Sequence, residues 1–377
     1  MEIKTLSDVC CINMGQSPDS TSYNDKKDGL AFYQGNADFG ETHPTTRVWC
    51  NNPIKIAEKD DILISVRAPI GSMNIANEKC CIGRGLASIK PIDESVCDRS
   101  YLYYFLESKV PYMQSKGTGS TFKAINKGIL TNLQIKLPSI DEQHKISSII
   151  SKIKRQIHNK NKLLKKYDEL VKSQFIEIFG DVNINPKQWE KALIKDIGTC
   201  VAGATPSTNE PKYWENGNIP WMSSGEVNKY LIYNTDNKIT QLGYDHSSTK
   251  LVPPNTVVIA MAGQGKTRGT VGITQIELCT NQSICSIVNN NRINPWFLLI
   301  YLGFQYQELR NVSNGSDGRG GLNLKIINSF PVYLPPIELQ NQFADFVKHI
   351  DKLKFSIKKS IEKLELCYKS LMQEYFG

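Results

Sequence analysis

The chain contains two copies of one long motif, and this repeat constrains the fold more than any other feature of the sequence. Residues 137–180 begin "LPSIDEQHKISSII" and residues 334–377 begin "LPPIELQNQFADFV". The two segments align without a gap at an offset of 197 residues, and both end in "FG". The similarity continues upstream, where "GQSP" (15–18) matches "GATP" (203–206), "DDILISV" (60–66) matches "NTVVIAM" (255–261) and "CIGRGLASI" (81–89) matches "CTNQSICSI" (279–287). The sequence therefore predicts two copies of one module.

Each copy ends in a predicted long helix whose apolar residues are spaced alternately three and four apart. About 38 residues would span roughly 57 Å, and each helix follows a Pro-containing segment and ends at a Gly. A stripe sustained over several heptads predicts a coiled coil, which the two helices can form within the chain by packing antiparallel. The polar residues Lys160, Gln174 and Lys354 interrupt the stripe. The predicted seam consists of Ile146, Ile150, Ile153, Ile157, Leu164, Tyr167, Val171, Ile178, Phe343, Val347, Ile350, Ile357, Ile361, Leu364, Tyr368, Leu371 and Tyr375.

The predicted fold class is α+β, with two repeated, strand-rich modules separated by an intrachain antiparallel coiled coil. We expect the first module at 1–138, its long helix at 139–180, the second module at 181–335 and its long helix at 336–377. Short β-rich apolar runs predict strands at 62–66, 86–90, 133–137, 257–261 and 284–288. One further helix is predicted in each module, at 99–110 and at 295–312, and each is followed by a Gly/Ser-rich loop.

The composition is ordinary for a soluble protein, with 40% hydrophobic residues and a formal net charge of +8. That excess of cations permits a polyanionic partner such as nucleic acid. The N-terminus "MEIKTLSDVC" has no secretory pattern and no apolar run approaches the roughly 20 residues of a membrane span, so we expect a cytoplasmic protein with reduced thiols. The ten cysteines and five histidines lack metal-ligand spacing, which argues against a metal site.

The stretch "AMAGQGKTRGTVGIT" (260–274) contains a Gly-Lys-Thr triplet like that of a phosphate-binding loop. Such a loop needs a helix directly after the triplet, because the helix N-terminus holds the anion. The residues that follow, "RGTVGITQIE", predict a strand instead, since they combine two glycines with alternating β-branched residues. The first copy has "SVRAPIGSMNIA" (65–76) at this position, about three residues shorter. We therefore interpret the stretch as a turn between two strands.

Two such modules, each closed by "LP-x-I-x-x-Q" and a long helix ending in "FG", resemble the specificity subunit of Type I restriction-modification systems. The segments "LPSIDEQ" (137–143), "LPPIELQ" (334–340), "GQGKTRG" (263–269) and "SVRAPIGSMNIA" (65–76) carry the resemblance, which covers essentially the whole chain. The second copy departs from the first at Leu339, where the first has Glu142. The resemblance implies two target recognition domains that each read half of a split DNA sequence in the major groove, and paired helices that set the spacer.

The resemblance also implies that the chain is not itself an enzyme and has no catalytic residue. It implies assembly with two modification subunits, which carry S-adenosylmethionine and methylate adenine, and with restriction subunits that use ATP to translocate and cut DNA. The chain would bind no cofactor; S-adenosylmethionine, ATP and magnesium are expected on the partner subunits. Two alternatives stay open: an NTPase that uses the Gly-Lys-Thr triplet, and a structural coiled-coil adaptor without sequence readout.

Loops that carry Arg, Lys and Gln between strands suit contact with DNA phosphates and base edges. Both copies of the turn have a cation, and their Gly and Pro residues allow a partner to approach the backbone closely. The candidate DNA-binding residues of the first module are Arg67, Ser72, Arg84, Ser120, Thr121 and Lys123, and those of the second are Gln264, Lys266, Arg268, Asn281, Gln282, Arg319 and Asn323.

Overall fold

The computed structural model describes residues 2–119, 123–263, 265–313 and 321–377. The chain folds into two compact units. The first unit comprises Met1–Lys162 with Lys358–Gly377, and the second comprises Leu163–Ile357. Each unit therefore contains one strand-rich module and one half of each long helix.

The first module is built from short strands and short helices and leads into the first long helix. Its strands are β1 (Glu2–Thr5), β2 (Cys10–Met14), β3 (Tyr23–Asn24), β4 (Leu30–Tyr33), β5 (Trp49–Cys50), β6 (Ile56–Ala57), β7 (Ile62–Ser65), β8 (Met73–Ile75), β9 (Cys80–Ile82), β10 (Leu86–Pro91) and β11 (Gln134–Leu137). Its helices are α1 (Leu6–Val9), α2 (Arg99–Ser108), α3 (Val110–Lys116) and α4 (Lys127–Thr131), with 3-10 turns at Ser20–Ser22 and Asn36–Asp38, and the long helix is α5 (Ile140–Phe179).

The second module has a similar order of elements, with one more short helix, and leads into the second long helix. Its strands are β12 (Glu190–Leu193), β13 (Gly198–Ala202), β14 (Ile219–Met222), β15 (Leu231–Ile232), β16 (Asn237–Ile239), β17 (Leu251–Val252), β18 (Val257–Ala260), β19 (Val271–Thr274), β20 (Leu278–Thr280), β21 (Ile284–Asn289) and β22 (Pro331–Leu334). Its helices are α6 (Ile194–Ile197), α7 (Gln241–Asp245), α8 (Pro295–Phe304), α9 (Tyr306–Val312) and α10 (Leu324–Asn328), with 3-10 turns at Pro211–Tyr213 and Ser224–Lys229, and the long helix is α11 (Ile337–Phe376).

The main sheets of the two modules share one order of four strands, which confirms the repeat predicted from the sequence. The main sheet has the order β2-β10-β7-β8 in the first module and β13-β21-β18-β19-β15 in the second. A second sheet contains a parallel pair in each module, β4 with β9 and β14 with β20. An antiparallel ribbon, β1-β11 or β12-β22, ends directly before each long helix. The strands predicted from the five apolar runs are all present.

The helix predicted at 295–312 is two helices, α8 and α9, because the chain breaks at Gln305. The helix predicted at 99–110 corresponds to α2, which ends before Lys109, and α3 follows it. Lys109 has φ −88° and ψ 0°, and Gln305 has φ −86° and ψ 11°, so both leave the regular helical range. In the first module Pro111 prevents α2 from continuing, because proline has no N–H to donate and its ring would clash with the carbonyl group four residues earlier. Helix α2 buries its apolar face against the main sheet.

The long helices pack against each other in both units. In the first unit Ile150, near the start of α5, shares a core with Phe376, at the end of α11. In the second unit Phe175, near the end of α5, shares a core with Phe343, near the start of α11. The start of each helix thus meets the end of the other, and the pair is antiparallel as predicted.

Burial along both long helices follows the three- and four-residue spacing of the seam. Every apolar residue of the predicted seam is buried or half-buried, and the neighbouring surface positions are mostly exposed. The polar interruptions are accommodated without a break in either helix. Lys354, for example, lies with its Nζ 2.6 Å from Asp168 Oδ1 and 3.4 Å from Asp351 Oδ1.

The sequence pattern missed an aromatic cluster at the end of α5. Phe175 and Phe179 are buried, although neither was assigned to the seam. Phe179 lies 4.8 Å from Phe297 and 5.4 Å from Phe343, measured between ring centroids. These last turns of α5 contact the module as well as the other long helix, so their apolar face is wider than a two-helix seam.

The Gln of both "LP-x-I-x-x-Q" motifs is fully buried and performs the same function twice. Gln143 Oε1 accepts a hydrogen bond from the Asp98 N–H at 2.8 Å, and its Nε2 donates to Pro138 O at 2.9 Å. Gln340 Oε1 accepts from the Asn294 N–H at 2.9 Å, and its Nε2 donates to a proline carbonyl at 2.7 Å. Asp98 and Asn294 are the N-cap residues of α2 and α8. The motif therefore ties each long helix to its module.

Candidate nucleic-acid interface

Three loops of each module meet at one backbone junction. In the first module the Val66 N–H donates to Gly85 O at 2.9 Å, and Val66 O accepts from the Ile125 N–H at 2.9 Å. In the second module Met261 makes the equivalent pair of bonds, to Ser283 O at 2.8 Å and from the Leu322 N–H at 3.2 Å. The junction joins the turn after β7 or β18, the loop after β9 or β20, and the segment before α4 or α10.

A fourth loop, after β2 or β13, packs against the loop after β9 or β20 and so joins the junction. A Cβ added to Gly15 would lie 2.2 Å from Gly83 O, and one added to Gly203 would lie 1.7 Å from Thr280 O. Only glycine permits so close an approach of two backbones. These glycines begin the "GQSP" and "GATP" segments, so the structure gives a steric reason for that part of the repeat.

The stretch with the Gly-Lys-Thr triplet is a turn between two antiparallel strands, as the sequence predicts. Strand β18 pairs with β19, and β7 pairs with β8 in the same way. Across the first turn, Ser65 makes two backbone hydrogen bonds, to Ser72 O at 2.8 Å and from the Gly71 N–H at 2.9 Å. Across the second, Ala260 makes the equivalent bonds, to Thr270 O at 3.0 Å and from the Gly269 N–H at 2.9 Å. They enclose six residues (66–71, the first-module turn) and nine residues (261–269, the second-module turn). The second turn is followed by a strand and not by the helix that a phosphate-binding loop requires.

The candidates of the first module lie around its junction. Arg67, Arg84 and Lys123 are exposed, and Ser72 is half-buried. Lys123 O accepts from the Ala68 N–H at 3.1 Å, which joins the segment before α4 to the turn. Three exposed cations are thus held on loops that share one scaffold. The candidates Ser120 and Thr121 lie outside the described residues.

Two of the candidate DNA-binding residues of the second module, Asn281 and Asn323, have a structural role. Lys266 and Gln282 are exposed and Arg268 is half-buried. Asn281 Oδ1 accepts from the Ser283 N–H at 3.1 Å, within the loop after β20. Asn323 Oδ1 accepts from a backbone N–H at 2.9 Å as the N-cap of α10, and this capping accounts for the presence of Asn323. Gln264 and Arg319 lie outside the described residues.

The buried thiols have the character of core residues. Burial raises the pKa of Cys80 and of Cys81 to about 12, and that of Cys279 to about 11. These thiols are therefore protonated at neutral pH. Within the described ranges, no three or more His, Cys, Asp and Glu side chains are grouped so that they could hold a metal ion. In the same part of the chain, none of the helices has the length and apolar character needed to cross a membrane.

Comparison with known proteins identifies the family of both modules. The family model described as "Type I restriction modification DNA specificity domain" matches residues 1–166 and 186–366. The chain belongs to this family. Each match to the specificity domain covers one module and a large part of the long helix that follows it, so the two copies of the repeat correspond to two specificity domains.

Two relatives differ in how much of their length this chain matches. The chain is 45% identical over 151 residues to the MjaX specificity subunit of Methanocaldococcus jannaschii, which covers 40% of this chain and 35% of that protein. It is 26% identical over 328 residues to the type I restriction enzyme MjaIX specificity subunit of the same organism, which covers 82% of this chain and 75% of that protein. The chain thus spans about a third of the first relative and three quarters of the second.

Two solved structures have the same fold as this specificity-domain protein. One is the S subunit of a Type I restriction-modification system from M. genitalium, with a TM-score of 0.68, 16% identity and coverage of 100% of this chain and 96% of that chain. The other was solved to explain complex assembly and conformational transition of the type I R-M system, with a TM-score of 0.60, 14% identity and coverage of 100% and 97%. At these identities the likeness concerns the fold.

One hydroxyl residue in the fourth loop of each specificity domain was not among the residues predicted from the sequence. Ser17 Oγ accepts a hydrogen bond from the Arg84 N–H at 3.3 Å. Thr205 Oγ1 donates to Gln282 Oε1 at 2.7 Å. The "GQSP" and "GATP" match pointed to this loop, but only the fold places it beside Arg84 and Gln282.

Proposed function

We propose that this chain is the DNA sequence-specificity subunit of a Type I restriction-modification complex. Each module reads one half of a bipartite target in duplex DNA, and the coiled coil sets the spacer between the halves. The chain is not itself catalytic. The observation that carries the proposal is the four-loop junction, which each module builds from equivalent residues and which displays different side chains in the two copies.

The chemistry of the loops supports contact with duplex DNA. Arg67, Arg84 and Lys123 in the first module and Lys266 in the second are exposed cations on the loops that meet at the junction. Arginine can bind guanine through two hydrogen bonds, and lysine suits phosphate oxygens as well as base edges. The net charge of +8 adds a general attraction to a polyanion.

The difference between the two turns supports two different half-sites. The second-module turn is three residues longer than the first and carries Lys266 and Arg268 where the first carries Arg67. A turn of different length places its side chains at different distances from the base edges. We therefore expect a target whose two halves are not copies of one sequence.

The names of similar proteins support a proposal for the partners. The names of the relatives describe specificity subunits of type I restriction enzymes, and one structural neighbour comes from work on complex assembly of such a system. We propose that this chain recruits two modification subunits, which bring S-adenosylmethionine and methylate adenine, and restriction subunits that use ATP and magnesium. The complex would work in the cytoplasm.

Methylome sequencing of the source strain tests the proposal. We expect a bipartite N6-methyladenine motif with a fixed spacer, and we expect its methylation to disappear when the gene for this chain is deleted. Restoring the gene on a plasmid should restore the methylation. If every bipartite motif stays methylated in the deletion strain, the proposal is wrong.

Variants of the turn cations test which surface binds DNA. Lys266→Ala, measured in the complex with modification subunits, should weaken binding of the target duplex. If Lys266 contacts phosphate, the slope of log K against log salt should fall by about one. Lys172, which is exposed on α5, provides the control, because Lys172→Ala removes the same charge away from the loops. Equal effects of the two variants would contradict the assignment of the interface.

A further inference from the structure

The second-module turn rests on helix α9 through two side chains. Tyr306 Oη donates to Lys266 O at 2.9 Å. Arg310 Nη1 donates to Gly265 O at 2.9 Å, to Arg268 O at 3.2 Å and to Tyr306 Oη at 3.1 Å. The Arg310 guanidinium also lies over the Tyr306 ring, 5.6 Å from its centroid. Three carbonyl groups of one turn thus accept hydrogen bonds from this pair of side chains.

The backbone of this turn needs such support because glycines occupy three of its nine positions. Gly263 has φ +141°, Gly265 has φ +61° and Gly269 has φ +85°. Glycine has the greatest backbone freedom of all residues, so a turn rich in glycine loses the most entropy when it is held in one conformation. Gly269 also packs closely on α9, since an added Cβ would lie 3.3 Å from Arg310 Cγ.

The first-module turn is supported in a different way. It is shorter, and the hydroxyl group of Ser65, the residue before the turn, donates a hydrogen bond to Pro69 O at 2.5 Å. Its helix, α3, contributes one neutral hydrogen bond, from Gln114 Nε2 to Ile70 O at 3.0 Å. The guanidinium in the second module offers stronger, charge-assisted bonds to more than one acceptor. The conformation of the second-module turn therefore depends more on side chains of the underlying helix than that of the first-module turn does.

We propose that Arg310 and Tyr306 are positioning residues for sequence recognition by the second module. Their hydrogen bonds hold the carbonyl groups of the turn against α9, and these bonds fix the position of Lys266 relative to the bases. The inference rests on the proposed function, because it concerns how that same interface selects its half-site. Arg310 acts through the turn and not by contact with DNA. Lysine does not replace it, since an ammonium lacks the planar guanidinium that lies over the Tyr306 ring.

The experiment uses the complex of this chain with its modification subunits and a plasmid library in which both half-sites are randomised. Methylated sequences are counted for the wild type, Arg310→Met, Arg310→Lys and Tyr306→Phe. The half-site read by the first module is an internal control in every sample. Glu308→Gln, an exposed change on the same helix, is the control for α9 itself. Binding to the target duplex is measured at several salt concentrations in parallel.

We expect both Arg310 variants to lower discrimination at one half-site by at least about tenfold, the range that one good base contact supplies. Tyr306→Phe should have a smaller effect at the same half-site, and selectivity at the other half should not change. The salt slope should stay that of the wild type. A salt slope reduced by about one in Arg310→Met and retained in Arg310→Lys would mean direct phosphate contact and would overturn the inference.

Other outcomes separate the inference from the function on which it rests. If the variants lower total methylation but leave the sequence preference intact, Arg310 only stabilises the fold and the positioning role is wrong. If the wild-type complex methylates no bipartite sequence, the proposed function fails and the inference fails with it. If both half-sites relax together, the effect does not arise in the second-module turn, and the inference is wrong.

Discussion

At the scale of single residues, comparing the two copies distinguishes side chains that make the same structural contacts in both modules from side chains that differ between the modules. Asn126 and Asn323 cap equivalent short helices, each accepting a backbone hydrogen bond at 2.9–3.1 Å. Arg84 and Gln282, in contrast, occupy equivalent loops and offer different hydrogen-bonding groups. A residue with the same contacts in both copies has a structural reason to be there. The positions that differ are better candidates for reading different bases.

The buried Gln of the long-helix motif gives a prediction at this scale. Gln143→Ala removes the partners of the Asp98 N–H and of two carbonyl groups, those of Val96 and Pro138. Leaving such buried groups without partners costs about 1–3 kcal/mol. We expect the free energy of unfolding of the first unit to fall by about that amount, as measured by urea denaturation.

The neighbouring residue supplies the matched control for Gln143. Glu142 is exposed and corresponds to Leu339 in the second copy, so the position accepts different side chains. Glu142→Ala should change the free energy of unfolding by less than about 0.5 kcal/mol. If the two variants unfold at the same urea concentration, the hydrogen bonds of Gln143 do not contribute as the geometry indicates.

At the scale of elements, the coiled coil contains a polar seam position whose charge is compensated. Burial lowers the pKa of Lys354, but hydrogen bonds and the charges of Asp168 and Asp351 outweigh burial, and the pKa is raised above its usual value. The side chain is 18% exposed, so the ion pairs are partly shielded from solvent. Lys354 therefore remains charged in the seam.

Replacing Lys354 tests whether this contact stabilises the helix pair. Lys354→Met keeps a long side chain but removes the cation from Asp168 and Asp351, and we expect a loss of about 1–3 kcal/mol in the free energy of unfolding near pH 8. Because the folded pKa is raised, this contribution is present below the pKa of the unfolded chain and disappears as pH rises through the folded value. Urea denaturation at pH 8 and at pH 11 measures both effects. Lys352→Met, at an exposed position of the same helix, should differ from the wild type at neither pH.

The elements that the sequence predicts correctly are those with a local signal. The seam of α5 and α11 was readable because its spacing repeats along one continuous segment. The break at Gln305 was not predicted, since the apolar pattern runs through that position. The junction could not be predicted either, because Val66 and Ile125 are far apart in the chain and their hydrogen bond depends on the completed sheets. For the same reason, the support of the second-module turn by Arg310 became visible only in the fold.

At the scale of the whole molecule, the proposed function gives the long helices a measurable role. Both helices contain 40 residues, and each passes from one compact unit to the other near its middle. A helix rises about 1.5 Å per residue, whereas duplex DNA rises about 3.4 Å per base pair. If the paired helices set the spacer, helix length and spacer length should change together in this ratio.

Inserting one matched heptad into each helix tests this role. The insertions belong after Lys162 and after Ile357, at the boundaries between the compact units, so that seven residues in each helix keep the seam in register. They lengthen the pair by about 10 Å, and we expect the spacer of the methylated motif to increase by about three base pairs while both half-site sequences stay the same. A variant in which the native heptads are replaced by the inserted sequence, without a change of length, should keep the original spacer. Methylome sequencing of strains carrying each variant gives the result, and an unchanged spacer in a folded, active insertion variant would reject the ruler.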